Sequence, residues 1–454
     1  MGAMFTVRPT PEERRQDLPA VPWDALPQEA LVNVFSYLKD GDRCQASLAC
    51  KAWHRVFRMA CLWRRRSFEF RGTDMQQGCY DGFLREHGQH LQHVSLEFAE
   101  PDRAVVQCFK AFVATANECA ELRLLSIKVQ EFFLPNLRKK WSGYRKKMVQ
   151  ALCLLLKRQP MLQEAEFFFC EFTHNEGLRV LKALTDDLPL MTRRNIITLK
   201  LEAFFQRRTV NLSLRTFTEV MGRFTALAFL RVDQHYLCEA VLDKLITGCA
   251  QTLRHLDIVM NTTVVHAIDS HTWSLAVQRC PSLTVTVRLY DAYTFEEYSR
   301  VLVASMPLTR VVLWDMCGMC EITFADVARF LGYVSGIFFN TIEVVGVSDN
   351  SCLTLGLEAE GYLEMEKAVV NLIERCVPLK KLFLCIPLMP ETPSRVVAAR
   401  LQNEMKRLEV TVVVEEKINT EYIEQRWPTF RALSFDDFLS TIFKFFKELF
   451  LSFI

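Results

Sequence analysis

From residue 67 onward a short apolar motif keeps returning: a leucine-like residue, two others, an apolar residue, one other, then another apolar residue. Leu91, Val94 and Leu96 give one copy, followed by Leu122, Leu125 and Ile127, then by Leu162, Ala165 and Phe167. Ile196, Leu199 and Leu201 continue it, then Leu227, Leu230 and Val232, then Leu253, Leu256 and Ile258. A blurred copy at Val285, Val287 and Leu289 precedes Leu308, Val311 and Leu313. Ile342, Val345 and Val347 follow, then Leu379, Leu382 and Leu384, and a last alternation at Val410, Val412 and Val414. The copies recur every roughly 25 to 40 residues. Between them lie stretches with helical periodicity, the clearest at Val105 to Ala120, Tyr144 to Lys157, Leu178 to Leu188 and Tyr236 to Ala250. Phe295 to Val303, Phe324 to Tyr333 and Met365 to Cys376 complete the set. A unit of one short strand and one helix cannot bury its apolar face alone and relies on its neighbours.

Alternating short strands and helices argue for a parallel sheet with helices packed on one side. A doubly wound open sheet would cover both faces of every strand and make the strands continuous apolar runs. Here polar residues sit between the apolar positions: Ser95 and Glu97, Ser126 and Lys128, Lys200 and Glu202, Arg231 and Asp233. One face of the sheet is therefore expected to meet water. The number of copies also argues against an open sheet, since large ones rarely exceed about ten strands. The expected fold is an α/β solenoid similar to a leucine-rich-repeat horseshoe over 67–416, with a helical cap at 417–454. In that tail Phe438, Leu439, Ile442, Phe443, Phe446, Leu449 and Phe450 form a stripe at helical spacing, and terminal solenoid units need a cover. Phe445 and Phe453 widen the stripe and keep a membrane-facing helix as the alternative, with few cations to support it.

The stretch from Leu26 to Trp63 reads differently. Leu26-Pro27 is followed by Glu29, then by Leu31, Val34, Phe35 and Leu38. Asp40 and Asp42 come next, then Ala46, Leu48, Cys50, Trp53 and the pair Leu62-Trp63. Apolar residues three and four apart, broken at Asp40-Gly41-Asp42 and near Ala60, describe a few short helices too small to stand alone. The ordered pattern resembles the F-box. The Leu-Pro opening, the aspartates before the second helix, the Cys-Lys-x-Trp run ending at Trp53, and the Leu-Trp exit followed by Arg64, Arg65 and Arg66 carry the resemblance. The chain is thus similar to F-box proteins with a degenerate leucine-rich-repeat-like domain: a disordered segment at 1–20, an all-helical F-box at 21–66, then the repeats. The resemblance implies docking onto the Skp adaptor and, through it, the cullin scaffold and RING subunit of an SCF-type ubiquitin ligase complex. It also implies that Leu26, Pro27, Leu31, Val34, Phe35, Leu38, Leu48 and Trp53 lie on or near the adaptor surface, as apolar anchors read at helical spacing. Arg43 and Cys44 depart from the pattern, standing where many F-boxes carry an aliphatic residue.

Composition narrows the function further. The 454 residues are half apolar and carry a formal net charge of +2, which argues against nucleic acid or a membrane as the main partner. Segment 1–20 lacks the apolar core of a signal peptide, and no apolar run reaches the length of a transmembrane segment. The 16 cysteines then read as reduced thiols of a cytoplasmic and/or nuclear protein. Cys317 and Cys320 form a CxxC with no second ligand pair at zinc spacing, and histidines such as His93 and His255 are scattered. No catalytic residue, metal or cofactor is expected. Arg138, Lys139, Lys140, Arg145, Lys146 and Lys147 form a basic cluster that reads as a solvated helix end and loop anchored by Trp141 and Tyr144. An acidic target surface, a nuclear-localisation signal or a contact with nucleic acid are the alternatives for it.

Positions between the inward-pointing apolar residues of such repeats line the concave face. Phe168, Trp314 and Phe383 are large aromatics at these positions, and Arg231 stands among the charged ones. These four are the candidate substrate-binding residues, because a buried aromatic contributes much contact area with little rotamer entropy lost. A register slip of one residue would instead turn the aromatics into the core. The expectation is a non-catalytic substrate receptor whose repeats hold an unidentified target protein for ubiquitination and proteasomal degradation. The rivals are an F-box scaffold that presents no substrate and an enzyme whose site no motif of the sequence reveals.

Overall fold

Three short helices open the described chain: α1 (Gln28–Tyr37), α2 (Asp40–Ser47) and α3 (Lys51–Phe57). The computed structural model describes residues 26–70, 79–98, 103–132, 142–185, 195–206, 214–260, 267–290, 294–315, 323–349, 361–387, 409–413 and 430–433. Pro27 enters α1 with no N–H to leave unsatisfied, and Leu31 N donates to its carbonyl at 3.1 Å. Asp40 and Asp42 lie in the first turn of α2, where carboxylates complement the helix dipole. Leu31, Phe35, Val56, Leu62 and Trp63 form the buried centre of this module, and Trp53 packs edge-on against Phe35 at 5.7 Å. Arg43 fills the place of the expected aliphatic residue by a different route. Its guanidinium lies over the Trp63 ring and donates to the carbonyls of Phe35 at 2.8 Å and Ser36 at 3.1 Å.

A parallel sheet of 13 strands follows, with the strands in sequence order from β1 to β13. It begins with β1 (Arg65–Phe70), β2 (His93–Phe98), β3 (Ser126–Gln130), β4 (Glu164–Phe168) and β5 (Thr198–Glu202). It continues through β6 (Phe229–Asp233), β7 (His255–Met260), β8 (Thr284–Tyr290), β9 (Leu308–Asp315) and β10 (Val344–Asp349). The last strands are β11 (Lys381–Pro387), β12 (Glu409–Val413) and β13 (Phe430–Leu433). Sequential order in an all-parallel sheet means that every crossover runs the same way, which puts the helices on one face. Those helices are α4 (Cys79–His87), α5 (Arg103–Glu118), α6 (Ser142–Lys157), α7 (His174–Thr185), α8 (Leu214–Met221), α9 (Glu239–Gly248) and α10 (Ser270–Arg279). After them come α11 (Phe295–Val301), α12 (Phe324–Ile337) and α13 (Tyr362–Arg375). Helices from consecutive units pack on one another, as α5 on α6 and α6 on α7 do. This is the leucine-rich-repeat-like α/β solenoid that the apolar triads predicted.

The strand pairing sorts residues into columns. Val94, Ile127, Ala165, Leu199, Leu230 and Leu256 form one buried column, and Phe68, Leu96, Val129, Phe167, Leu201 and Val232 form the next. At and just past the strand ends Phe70, Phe98, Phe132, Phe172 and Phe204 pack in succession, the first pair stacked and the rest edge-on or tilted, with centroids 4.7 to 5.2 Å apart. In the β4 unit, Leu162, Ala165, Phe167, Cys170 and Phe172 follow the complete repeat consensus, whose cysteine position lies two residues past the strand. There the buried Cys170 thiol donates to Val129 O at 3.5 Å and ties the turn to the preceding unit.

Several sequence-based boundaries move. The β3 copy is Leu124, Ile127 and Val129, two residues later than the Leu122, Leu125 and Ile127 reading, because Ile127 pairs with Val94. A shift of two preserves which face each residue occupies. β1 was not foreseen, since Trp63 and Arg66 stand where later units carry leucine and valine. The blurred copy at β8 reflects a register shift against β9, between Val285 and Thr286, after which the triads fall two columns further along. β13 pairs with β12 inside segment 417–454, so part of the expected helical cap is a strand that covers the edge of β12. The apolar stripe at 438–450 lies outside the described residues, as do segment 1–20, the Cys317–Cys320 pair, and Arg138, Lys139, Lys140 and Trp141 of the basic cluster.

Candidate functional site

Two surfaces stand out, and both are built from residues that the local fold forces outward. On the helical module the inward side of α1 is occupied by Leu31 (2% exposed) and Phe35 (0%), whose side chains form its own core. This corrects their expected place on a partner surface: anchors already buried within the chain cannot be offered to another one. Several apolar positions in or beside α1 and α2 do point out, while Val32 and Ala46 pack against the core. Leu48 is 77% exposed and Tyr37 88%, Pro27 and Val34 are exposed, and Leu38 is half-buried. Leu26 and Trp53 are half-buried against the core. Tyr37 was missed in the sequence because its spacing from Val34 and Leu38 does not separate it from a solvated helix end.

The second surface is the polar face of the sheet. A groove of about 430 Å³ crosses β1 to β6 and is lined by Arg65, His93, Lys128, Glu166, Phe168 and Lys200, among others. Lys128, Glu166 and Lys200 occupy one column on three adjacent strands, and Glu166 binds Lys128 at 3.1 Å and Lys200 at 3.2 Å. Burial by itself would raise the Glu166 carboxyl; Lys200 and Lys128 outweigh it and hold the group below its ordinary value. Phe168 is half-buried at the end of β4, edge-on to Phe169 at 4.5 Å. The turns here are strained. Glu131, Phe169, Glu171 and Ala203 all adopt left-handed backbone angles, with φ of 51°, 50°, 46° and 47°.

Across β5 to β8 the same face is not wet, which corrects the expectation of a solvated sheet side. Arg231 reaches Glu202 at 3.0 Å and Asp257 at 2.8 Å, and Arg288 reaches the other Asp257 oxygen at 2.9 Å. All four side chains are buried. Burial would raise Asp257, but the Arg288 and Arg231 guanidiniums prevail and keep its carboxyl well below the usual range. For Glu202 burial prevails over Arg231, and its carboxyl is pushed above its ordinary value. His255, close by, is pushed down to about 4, mainly by burial and against the pull of Asp257.

The four expected substrate contacts are therefore not brought together. Phe168 lines the groove and Trp314 is half-buried beside Tyr290, with centroids 5.7 Å apart. Arg231 is buried and bound to two carboxylates, with only an edge on the groove. Phe383 is buried outright. Both failed for the same reason: a residue can sit at a polar-face position and still be covered. Among the described residues no group of three or more His, Cys, Asp or Glu side chains could hold a metal ion, and no helix is long and apolar enough to cross a membrane.

Residues 23–69 match a family model described as F-box-like. The chain is 32% identical over 83 residues to F-box/LRR-repeat protein 21 of Mus musculus, and the match covers 16% of this chain and 19% of that protein. The Ovis aries protein of the same name matches at 32% over 81 residues, again 16% of this chain and 19% of the relative. The chain thus spans about a fifth of the length of these curated relatives. Among solved structures, a chain of "Crystal structure of TLR13-ssRNA13 complex" overlaps 77% of this chain and 47% of its own, at 11% identity and a TM-score of 0.26.

Proposed function

We propose that this chain, an F-box-like module followed by a leucine-rich-repeat-like solenoid, is the substrate-recognition subunit of an SCF-type ubiquitin ligase. The observation that carries the reading is the F-box-like module itself, with an apolar edge left outside its core. Pro27, Val34, Tyr37, Leu38 and Leu48 dock on the Skp adaptor, and the adaptor connects the chain to the cullin scaffold and RING subunit. Large exposed apolar groups clustered on one small module mark a protein-binding surface. The groove on the polar face holds the target, with Phe168 as its aromatic anchor and Lys128, Glu166 and Lys200 as a charge pattern that selects the partner.

No residue of the chain breaks or forms a bond in this scheme. A bound target is held at high effective concentration beside a ubiquitin thioester carried by the rest of the ligase. The test is co-purification from cells of the wild type, a Val34→Asp/Leu48→Asp variant and a Phe168→Ala/Lys128→Glu variant. Wild type recovers the Skp adaptor and cullin, the first variant loses both, and the second keeps them while losing proteins that proteasome inhibition stabilises. Wild type recovering neither ligase subunit overturns the assignment. Recovery of the adaptor with no interactor stabilised by proteasome inhibition favours a scaffold instead.

A further inference from the structure

The sheet face away from the helices changes character along the solenoid. From β1 to β4 it carries Ser67, Ser95, Lys128 and Glu166 in one column, all exposed or half-buried. Past β7 the same face turns apolar. Val259, Arg288, Val312, Gly346 and Phe383 share a column from β7 to β11, with Tyr290, Trp314 and Val344 beside it. Val259, Tyr290, Val312, Val344 and Phe383 are between 0% and 8% exposed. Their strand neighbours Ile258, Leu289, Leu313, Val345 and Leu384 belong to the core between sheet and helices, and these five do not. They form a second apolar layer.

A layer so far withdrawn from water calls for a cover on the open side of the sheet, and each Å² of apolar surface so removed stabilises by roughly 25 cal/mol. The chain itself holds a segment of matching chemistry and length. Segment 434–454 follows β13 directly and contains the apolar stripe from Phe438 to Phe450. Ser434 and Asp437 have the spacing with which Thr294 and Glu297 start α11, and Thr323 and Asp326 start α12. At 1.5 Å per residue, a helix over 435–454 has a length of about 30 Å. From β13 back to β8 the sheet measures about 24 Å, at about 4.8 Å per strand. A helix starting beside β13 therefore reaches the whole apolar layer without a linker.

We propose that segment 434–454 docks back across β11 to β8, with its phenylalanine stripe on the apolar layer around Val312 and Phe383. This closes that part of the sheet face and leaves the groove on β1 to β6 open. Release of the segment would add Trp314 and Phe383 to the open surface, so its docking sets how much of the face a partner meets. The closure does not depend on the ligase assignment.

Photocrosslinking of the full-length protein tests this, with benzoyl-phenylalanine in place of Phe443 and, separately, of Lys444, which falls off the stripe. The probe at 443 forms an adduct within one chain, mapped by mass spectrometry to β9, β10 or β11, and the probe at 444 does not. Tryptophan emission gives a second measurement, in which the part lost in Trp314→Phe reports on Trp314. In full-length Phe443→Asp/Phe446→Asp that part moves to the red, because water reaches the ring. Phe443→Ser/Phe446→Ser gives a smaller shift in the same direction and replaces the first variant should that one misfold. Lys444→Ser/Lys447→Ser leaves the emission unaltered. Adducts from 443 to the helix layer or the helical module, adducts between two copies, or no adduct overturn the proposal. An unshifted Trp314 emission does the same, as does sedimentation of the wild type with phosphatidylcholine–phosphatidylserine vesicles that is lost in Phe443→Ser/Phe446→Ser.

Discussion

Asp257 accepts hydrogen bonds from two guanidiniums, Arg231 at 2.8 Å and Arg288 at 2.9 Å, and has no exposure to water. Taking such a group away leaves two buried cations facing one another. Asp257→Ala is expected to lower stability by about 3–5 kcal/mol, read as the shift in urea midpoint. Converting the set to well-packed apolar residues costs far less, since desolvation offsets most of the Coulomb gain. His255 belongs to the same face, stacked on Phe229 at 5.2 Å and bonded to Thr284 at 2.7 Å and Thr286 at 3.1 Å. Its folded-state pKa is about 4 against 6.5 in an ordinary setting. As pH falls below 6.5 the unfolded chain gains a proton that the folded chain refuses until about 4. Stability therefore drops across this window, by on the order of 3 kcal/mol from this one group. In His255→Gln that part of the decline is expected to vanish from urea titrations taken between the same two pH values.

At the scale of elements, helix starts and turns hold the solenoid's units in register. Thr294 with Glu297 and Thr323 with Asp326 cap α11 and α12 reciprocally, each side chain bonding the other's backbone N–H. Gly361 begins α13 at φ 87°, and a Cβ there would lie 2.8 Å from Ala325 N. Gly361→Ala combines a left-handed penalty with a backbone collision and is expected to lower stability by about 1–3 kcal/mol, seen as a fall in Tm. Spaced apolar triads made β2 to β12 legible and helical periodicity most of the helices, yet β1, β13, α4, α8 and α10 escaped notice. α8 has only three buried apolar residues, Phe217, Val220 and Met221, too few to display a period.

At the scale of the molecule, the helical module and the first repeat share their core. Trp63 closes the one and opens the other: its Nε1 donates to Phe57 O at 2.6 Å, and its ring stacks on His87 of α4 at 4.5 Å. Arg66 of β1 binds Asp40 of α2 at 3.0 Å and lies over the Phe83 ring at 3.7 Å. Trp63→Ala is expected to destabilise both parts together by about 3–5 kcal/mol, as a single lowered transition in calorimetry. Leu48→Asp, on the exposed edge, is expected to leave Tm within about 2 °C of wild type. The same change should abolish recovery of the Skp adaptor, whereas Leu31→Asp would lose the adaptor by unfolding the module. The shared core fixes the direction of the exposed edge relative to the sheet, and the proposed function rests on such a fixed relation.

The order of apolar residues by itself determined that this chain is a stack of strand–helix units behind a small helical module. Periodicity is a local property, and each unit repeats the same local solution. It also determined which residues lie on each face, since a register error of two, as at β3, leaves the faces unchanged. Tertiary structure alone decided which face positions are free. Leu31 and Leu48 are both leucines in one helical module, and Arg231 and Lys128 are both cations in one sheet column. Leu31 and Arg231 are buried, whereas Leu48 is exposed and Lys128 half-buried, its side chain 40% exposed. Burial depends on what distant segments bring alongside, and no window of neighbouring residues contains that information.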